Sequence, residues 1–73
     1  MEKAVTQIQI VVNGEEQYIR AGLTVSELVA QWELAPQRLA IEHNLLILAR
    51  SLWPETRLQP GDRLEIVQFV GGG

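Results

Sequence analysis

Thr24-Val25-Ser26-Glu27-Leu28-Val29-Ala30-Gln31-Trp32 is the stretch that decides the fold. Thr24 and Glu27 have the spacing of a capping box, in which the Thr24 hydroxyl accepts from the Glu27 amide and the Glu27 carboxylate accepts from the Thr24 amide. Leu23 and Leu28 stand at the two positions of a hydrophobic staple around that start. Val25, Leu28, Val29 and Trp32 then recur at i, i+3, i+4 and i+7, which puts them on one helical face. The pattern predicts a helix from Val25 to Glu33 or Leu34, closed ahead of Pro36. It predicts one principal helix with one apolar stripe, which needs a sheet to cover.

The flanking sequence reads as strands. Gln7-Ile8-Gln9-Ile10-Val11-Val12 is rich in β-branched residues, Asn13-Gly14 is a strong hairpin signal, and Glu16-Gln17-Tyr18-Ile19-Arg20 returns. A two-residue loop would set Glu15 against Val12 and Gln17 against Ile10. A four-residue loop, Asn13 to Glu16, pairs Ile10 with Ile19 and Ile8 with Ala21, and it is preferred because it keeps apolar residues on one face. Leu39 to His43 reads as a third strand. Asn44 opens a tight connection, Ile47-Leu48-Ala49 reads as a short fourth strand, and Ser51 to Glu55 as a loop or a single helical turn. Gln59-Pro60-Gly61-Asp62 is a turn, and Arg63 to Val70 the last strand.

Composition narrows the function. Seventy-three residues make one small domain with a thin core, which disfavours an enzyme with its own cleft. The net charge is −3, against the basic balance of a nucleic-acid binder and in favour of partners with basic patches. With no cysteine there is no disulfide, no thiolate metal site and no thiol nucleophile. The longest apolar stretch, Leu45 to Ala49, is far short of a membrane span, and Met1-Glu2-Lys3-Ala4 lacks the apolar core of a signal peptide. A monomeric cytoplasmic protein with no bound metal or cofactor is expected.

Hairpin, helix, then two or three strands is an α+β order. Its compact solution is one helix laid across a mixed sheet of four or five strands, with the first and last strands parallel at the centre. That architecture is the β-grasp, or ubiquitin-like, roll, here expected over residues 1–70. Gly71-Gly72-Gly73 follows the last strand with no polar linker between. Glycines can thread a channel too narrow for side chains and carry a bare carboxylate at its tip.

A β-grasp order ending on Gly-Gly resembles the sulfur-carrier proteins, and within them the ThiS family of thiamine thiazole synthesis. The resemblance rests on Asn44, on Arg50-Ser51 with Trp53, on Leu58-Gln59-Pro60-Gly61-Asp62-Arg63-Leu64-Glu65-Ile66-Val67, and on Val70-Gly71-Gly72-Gly73. Family members commonly have Val-Pro before that arginine, where this chain has Leu48-Ala49. The resemblance implies that an E1-like enzyme adenylates the Gly73 carboxylate with ATP and magnesium. A persulfide sulfur from a cysteine desulfurase then leaves a thiocarboxylate, which thiazole synthase consumes. Carriers for molybdopterin or tRNA thiolation, a ubiquitin-like modifier and a passive binding module are the alternatives.

Other residues carry narrower expectations. If Leu64 and Ile66 face the helix, Val67 and Phe69 point away from it, and with Val70 they form a candidate docking patch before the Gly71 and Gly72 tail. His43 reads as a sheet-surface residue without convergent partners. Trp32 reads as core, Trp53 as core packing or interface, and Glu15 and Glu16 as solvated charges. Arg50 pairs with a partner or with a nearby carboxylate, and the sequence leaves both open.

Overall fold

The structure is a computed structural model that describes residues 6–70. The glycine tail, Gly71-Gly72-Gly73, lies outside the described residues. The chain runs β1 (Gln7–Val12), β2 (Glu15–Arg20), α1 (Val25–Gln31), β3 (Leu39–His43), β4 (Leu46–Ile47) and β5 (Arg63–Gln68). Short 3-10 helices, Pro36–Arg38 and Arg50–Glu55, fill the connections. The five strands form one sheet in the order β2-β1-β5-β3-β4. β1 and β5 are parallel and every other neighbouring pair is antiparallel, which is the α+β β-grasp arrangement.

The helix start forms as its sequence demands. The Glu27 amide donates to Thr24 Oγ1 at 3.1 Å, and the Thr24 amide donates to Glu27 Oε1 at 2.9 Å. Val25, Leu28 and Val29 are buried against Ile10, Ile41 and Leu64 of the sheet's inner face, with Leu23, Trp32 and Leu34 packed at the margin. The helix closes earlier than expected, at Gln31 with Trp32 as its C-cap. Glu33 takes the left-handed conformation (φ 57°), its amide donates to the Ala30 carbonyl, and the Leu34 amide donates to the Val29 carbonyl. These two bonds make a Schellman motif, with a glutamate where glycine is usual.

The first hairpin corrects the preferred loop. Val12 pairs with Glu15, Ile10 with Gln17 and Ile8 with Ile19, so the loop is the two-residue Asn13-Gly14. Both residues have positive φ, 51° and 84°, the type I′ geometry whose twist matches the strands. The turn prevails because β2 is an edge strand. Its Ile19 is buried, while Gln17 is half-buried and Glu15 and Glu16 are exposed, so an all-apolar inner face is not required.

Asn13 does more than turn the chain. Its side-chain oxygen accepts from the Ile66 amide at 2.7 Å, and its side-chain nitrogen donates to the Ile66 carbonyl at 3.2 Å. The backbone ladder between β1 and β5 pairs only Val11 with Arg63 and Val12 with Leu64. One asparagine side chain thus supplies the next rung.

Two further boundaries differ from expectation. The fourth strand is Leu46–Ile47 rather than Ile47 to Ala49, because Asn44 and Leu45 both take positive φ and make a two-residue turn, so the return starts at Leu46. The Leu48 carbonyl then accepts the Trp53 indole N–H at 3.1 Å, which buries Trp53 as core and draws the chain out of the sheet. β5 ends at Gln68 rather than Val70, although the Phe69 amide still donates to the Arg38 carbonyl at 2.8 Å. Among the described residues no helix is long and apolar enough to cross a membrane.

Three substitutions test this reading in thermal or denaturant unfolding. Thr24→Ala should cost about 1 kcal/mol, and Glu33→Gly should gain about 0.5–1 kcal/mol by relieving the left-handed position. Asn13→Gly keeps the turn's φ and removes both bonds to Ile66, and should cost about 1–2 kcal/mol. No change on Asn13→Gly would remove the side-chain rung.

Candidate functional site

β5 separates two chemistries by alternation. Leu64 is buried and Ile66 packs on the core, while Glu65, Val67 and Phe69 point to the opposite, outer face. Val67 and Phe69 are each 54% exposed, and Val70 is 92% exposed. The three residues of the expected docking patch are therefore solvent-facing and sit where the chain leaves the sheet. The Phe69 amide makes the last backbone hydrogen bond of the described body. Beyond it, Val70 and the three glycines can reach about 14 Å at full extension.

The exposed apolar surface is wider than the sequence suggested. Leu45 is 80% exposed and Ile47 83%, and both line the outer face from the β3–β4 hairpin. An apolar run directly after a turn residue, in a chain with only one helix to cover the sheet, was the available signal. Reading Ile47 to Ala49 as a short strand assigned no face to these residues.

A polar lock lies at the entry of β5. His43 Nε2 donates to Asp62 Oδ2 at 2.9 Å, and the Gln59 amide donates to the same oxygen at 2.9 Å. Asn44 Nδ2 donates to Asp62 Oδ1 at 3.2 Å, while Asn44 Oδ1 accepts from the Arg63 amide at 2.9 Å. His43 therefore has convergent partners, contrary to expectation. Sequence reading missed them because Asp62 lies 19 residues away and meets His43 only through strand pairing. The bonds join the β3–β4 turn to the entry of β5, which is a structural task. Among the described residues no group of three or more His, Cys, Asp or Glu is arranged to hold a metal ion.

Burial alone would raise the Asp62 carboxyl, but the Gln59 amide, His43 and Asn44 together outweigh it, and its pKa lies below the ordinary carboxylate value. Among the described residues Arg50 meets no carboxylate; its guanidinium lies over the Trp53 ring, 5.6 Å from the centroid. Glu15 and Glu16 are exposed, as expected.

A small mixed sheet backed by one helix, with its central strand running out beside an exposed apolar face, defines a β-grasp domain. The ThiS family model matches residues 6–73, and the chain belongs to the ThiS family. It is 38% identical over 66 residues to the thiazole synthase of Paramagnetospirillum magneticum, a match covering 90% of this chain and 20% of that protein. The chain thus spans about a fifth of that relative's length. It is 32% identical over 66 residues to the sulfur carrier protein ThiS of Escherichia coli, covering 90% of this chain and 100% of that one. The crystal structure of the thiamine biosynthesis protein (ThiS) from Geobacter metallireducens superposes with a TM-score of 0.78 at 29% identity, over 90% of this chain and 100% of that one.

The lock yields a pH prediction. A carboxyl with a lowered folded-state pKa adds stability above its unfolded value, near pH 4, and loses it as pH falls through the folded value. Asp62→Asn should therefore melt lower than wild type at neutral pH, with the gap closing below about pH 4. A gap that persists in acid would show that the carboxylate charge is not what stabilises the turn.

Proposed function

We propose that this chain is a sulfur carrier for the thiazole of thiamine, with its sulfur held at the Gly73 carboxylate. The supporting observation is the family match through residues 6–73, tail included, on a body whose last strand is anchored up to Phe69. The proposed cycle begins when an E1-like enzyme, using ATP and magnesium, joins the carboxylate to AMP and releases pyrophosphate. A persulfide from a cysteine desulfurase displaces AMP through its terminal sulfur. A second thiol then takes the other sulfur as a disulfide and leaves the thiocarboxylate. Dividing one hard substitution into easier steps is ordinary covalent catalysis, and the catalytic groups belong to the partners. This chain supplies position and docking energy rather than a nucleophile, in keeping with a sequence that has no cysteine.

Thiazole synthase is the proposed recipient. A protein of that name carries, within its own polypeptide, a stretch similar to this chain. Joining the two in one chain raises the effective concentration of one for the other. The proposed compartment is the cytoplasm, where thiols stay reduced.

The short reach beyond Phe69 makes tail length a geometric requirement. Deleting Gly73, appending an alanine, or changing Gly72→Val should each abolish sulfur loading while leaving the melting temperature unchanged. Misplacing a reacting group by even 1 Å can cost about a hundredfold in rate. The readout is intact mass after incubation with the adenylating enzyme, ATP and a sulfur donor, where exchange of oxygen for sulfur adds about 16 Da. Normal loading of the deleted or extended chain would defeat the carrier reading, and a whole second protein attached through the tail would make it a modifier instead.

Phe69→Glu tests the docking patch. It should fold as wild type does and bind the adenylating enzyme at least tenfold more weakly, roughly the penalty for burying an unpaired charge in an interface. Wild-type binding would remove Phe69 from the contact.

A further inference from the structure

The outer face of the sheet carries a like-charge pair that folding does not explain. Glu42 on β3 and Glu65 on β5 stand directly opposite each other in the antiparallel ladder, and both are exposed. Like charges so placed repel and lower stability. Among the described residues the one contact between a basic group and a carboxylate joins His43 and Asp62, so neither glutamate has a cationic partner there. Arg63, two residues before Glu65 on the same face, does not pair with it.

These two glutamates line an open, mainly apolar groove of about 330 Å³. Ala40 leaves the space, since its methyl group is the smallest side chain that could stand opposite Val67 on this face other than glycine's hydrogen. Leu45 and Ile47 line the groove from the β3–β4 hairpin and Val67 from β5. Asn44, held to Arg63 and Asp62, fixes the turn that carries Leu45.

We propose that this groove receives one apolar side chain of the protein that takes the tail, with an arginine or lysine beside it held between Glu42 and Glu65. The groove shares Val67 with the exposed edge from which the chain leaves, so a protein covering it also grips the root of the tail. Covering the apolar walls excludes water and strengthens the attraction between cation and carboxylates. A surface without the cation would leave two glutamates buried and unpaired, so the pair also rejects wrong partners. A second copy of this chain does not fit. A two-fold contact through one patch would bring four glutamates together in a molecule of net charge −3.

The proposal rests on the sulfur-carrier reading only for the choice of partner. The test titrates the adenylating enzyme from the same cells with wild type, the Glu42→Gln/Glu65→Gln double variant and Ala40→Leu, by calorimetry at low and high salt. Each protein is also melted alone and weighed after sulfur loading. The double variant should bind about five- to tenfold more weakly at low salt, with the difference shrinking at high salt. Alone, it should melt no lower than wild type, because a repulsion has been removed. Ala40→Leu fills the groove and should weaken binding at both salt concentrations without lowering the melting temperature. The proposal is overturned by wild-type affinity of the double variant at low salt, by a loss that salt does not reduce, or by a lower melt. Wild type that still gains sulfur in that event leaves the carrier reading in place. Wild type that binds but gains no sulfur removes the carrier reading and leaves the groove. Wild type that does not bind removes the groove proposal, and its mass decides the carrier reading separately.

Discussion

Everything in this molecule depends on β5 being held between β1 and β3. Its antiparallel ladder with β3 is long, from His43 opposite Leu64 to Leu39 opposite Gln68. Its parallel ladder with β1 is two pairs long and would leave the second half of the strand bound on one side only. The Asn13 amide closes that gap at Ile66, and the Arg38 carbonyl takes the Phe69 amide just beyond. A parallel central pair is what demands the long crossover through α1, and α1 in turn fills the inner face. The same strand carries buried Leu64 inward and Glu65, Val67 and Phe69 outward, so one placement sets both the core and the exposed apolar surface.

Local chemistry was legible where it was self-contained. The Thr24–Glu27 box needs no tertiary information, and it formed as its spacing required. β3 spans Leu39–His43, as its alternation indicated, because its neighbours on both sides confirm the same face. The hairpin register was misread for a physical reason. Apolar matching governs strands covered on one whole face, but β2 is an edge on which Ile19 does the burying, so turn geometry won. The helix end was two residues off because Glu33 accepts a conformation that its side chain does not favour.

Features that join distant segments were not legible. His43 and Asp62, or Asn13 and Ile66, meet only once the strands are ordered. The outward exposure of Leu45 and Ile47 follows from the β3–β4 register, because the single helix covers only the other face. The outward direction of Val67 and Phe69 followed from alternation along one strand, which is why that part of the surface could be read early. The glycines could be read for what they permit, since freedom from side chains is a property of the residues themselves.

On the proposed carrier function, the two ends of β5 have different tasks. At the entry of β5, Asp62 and Asn44 fasten the β3–β4 turn and so hold one wall of the outer groove. At its exit, Phe69 and Val70 give a fixed root to a short reach. Sulfur on the terminal carboxylate is the central claim, and fragment-resolved mass of the intact chain taken from cells grown without thiamine tests it most directly. The predicted result is an increment of about 16 Da confined to fragments that contain Gly73. An increment located elsewhere, or a tail joined to a lysine of another protein, would contradict it.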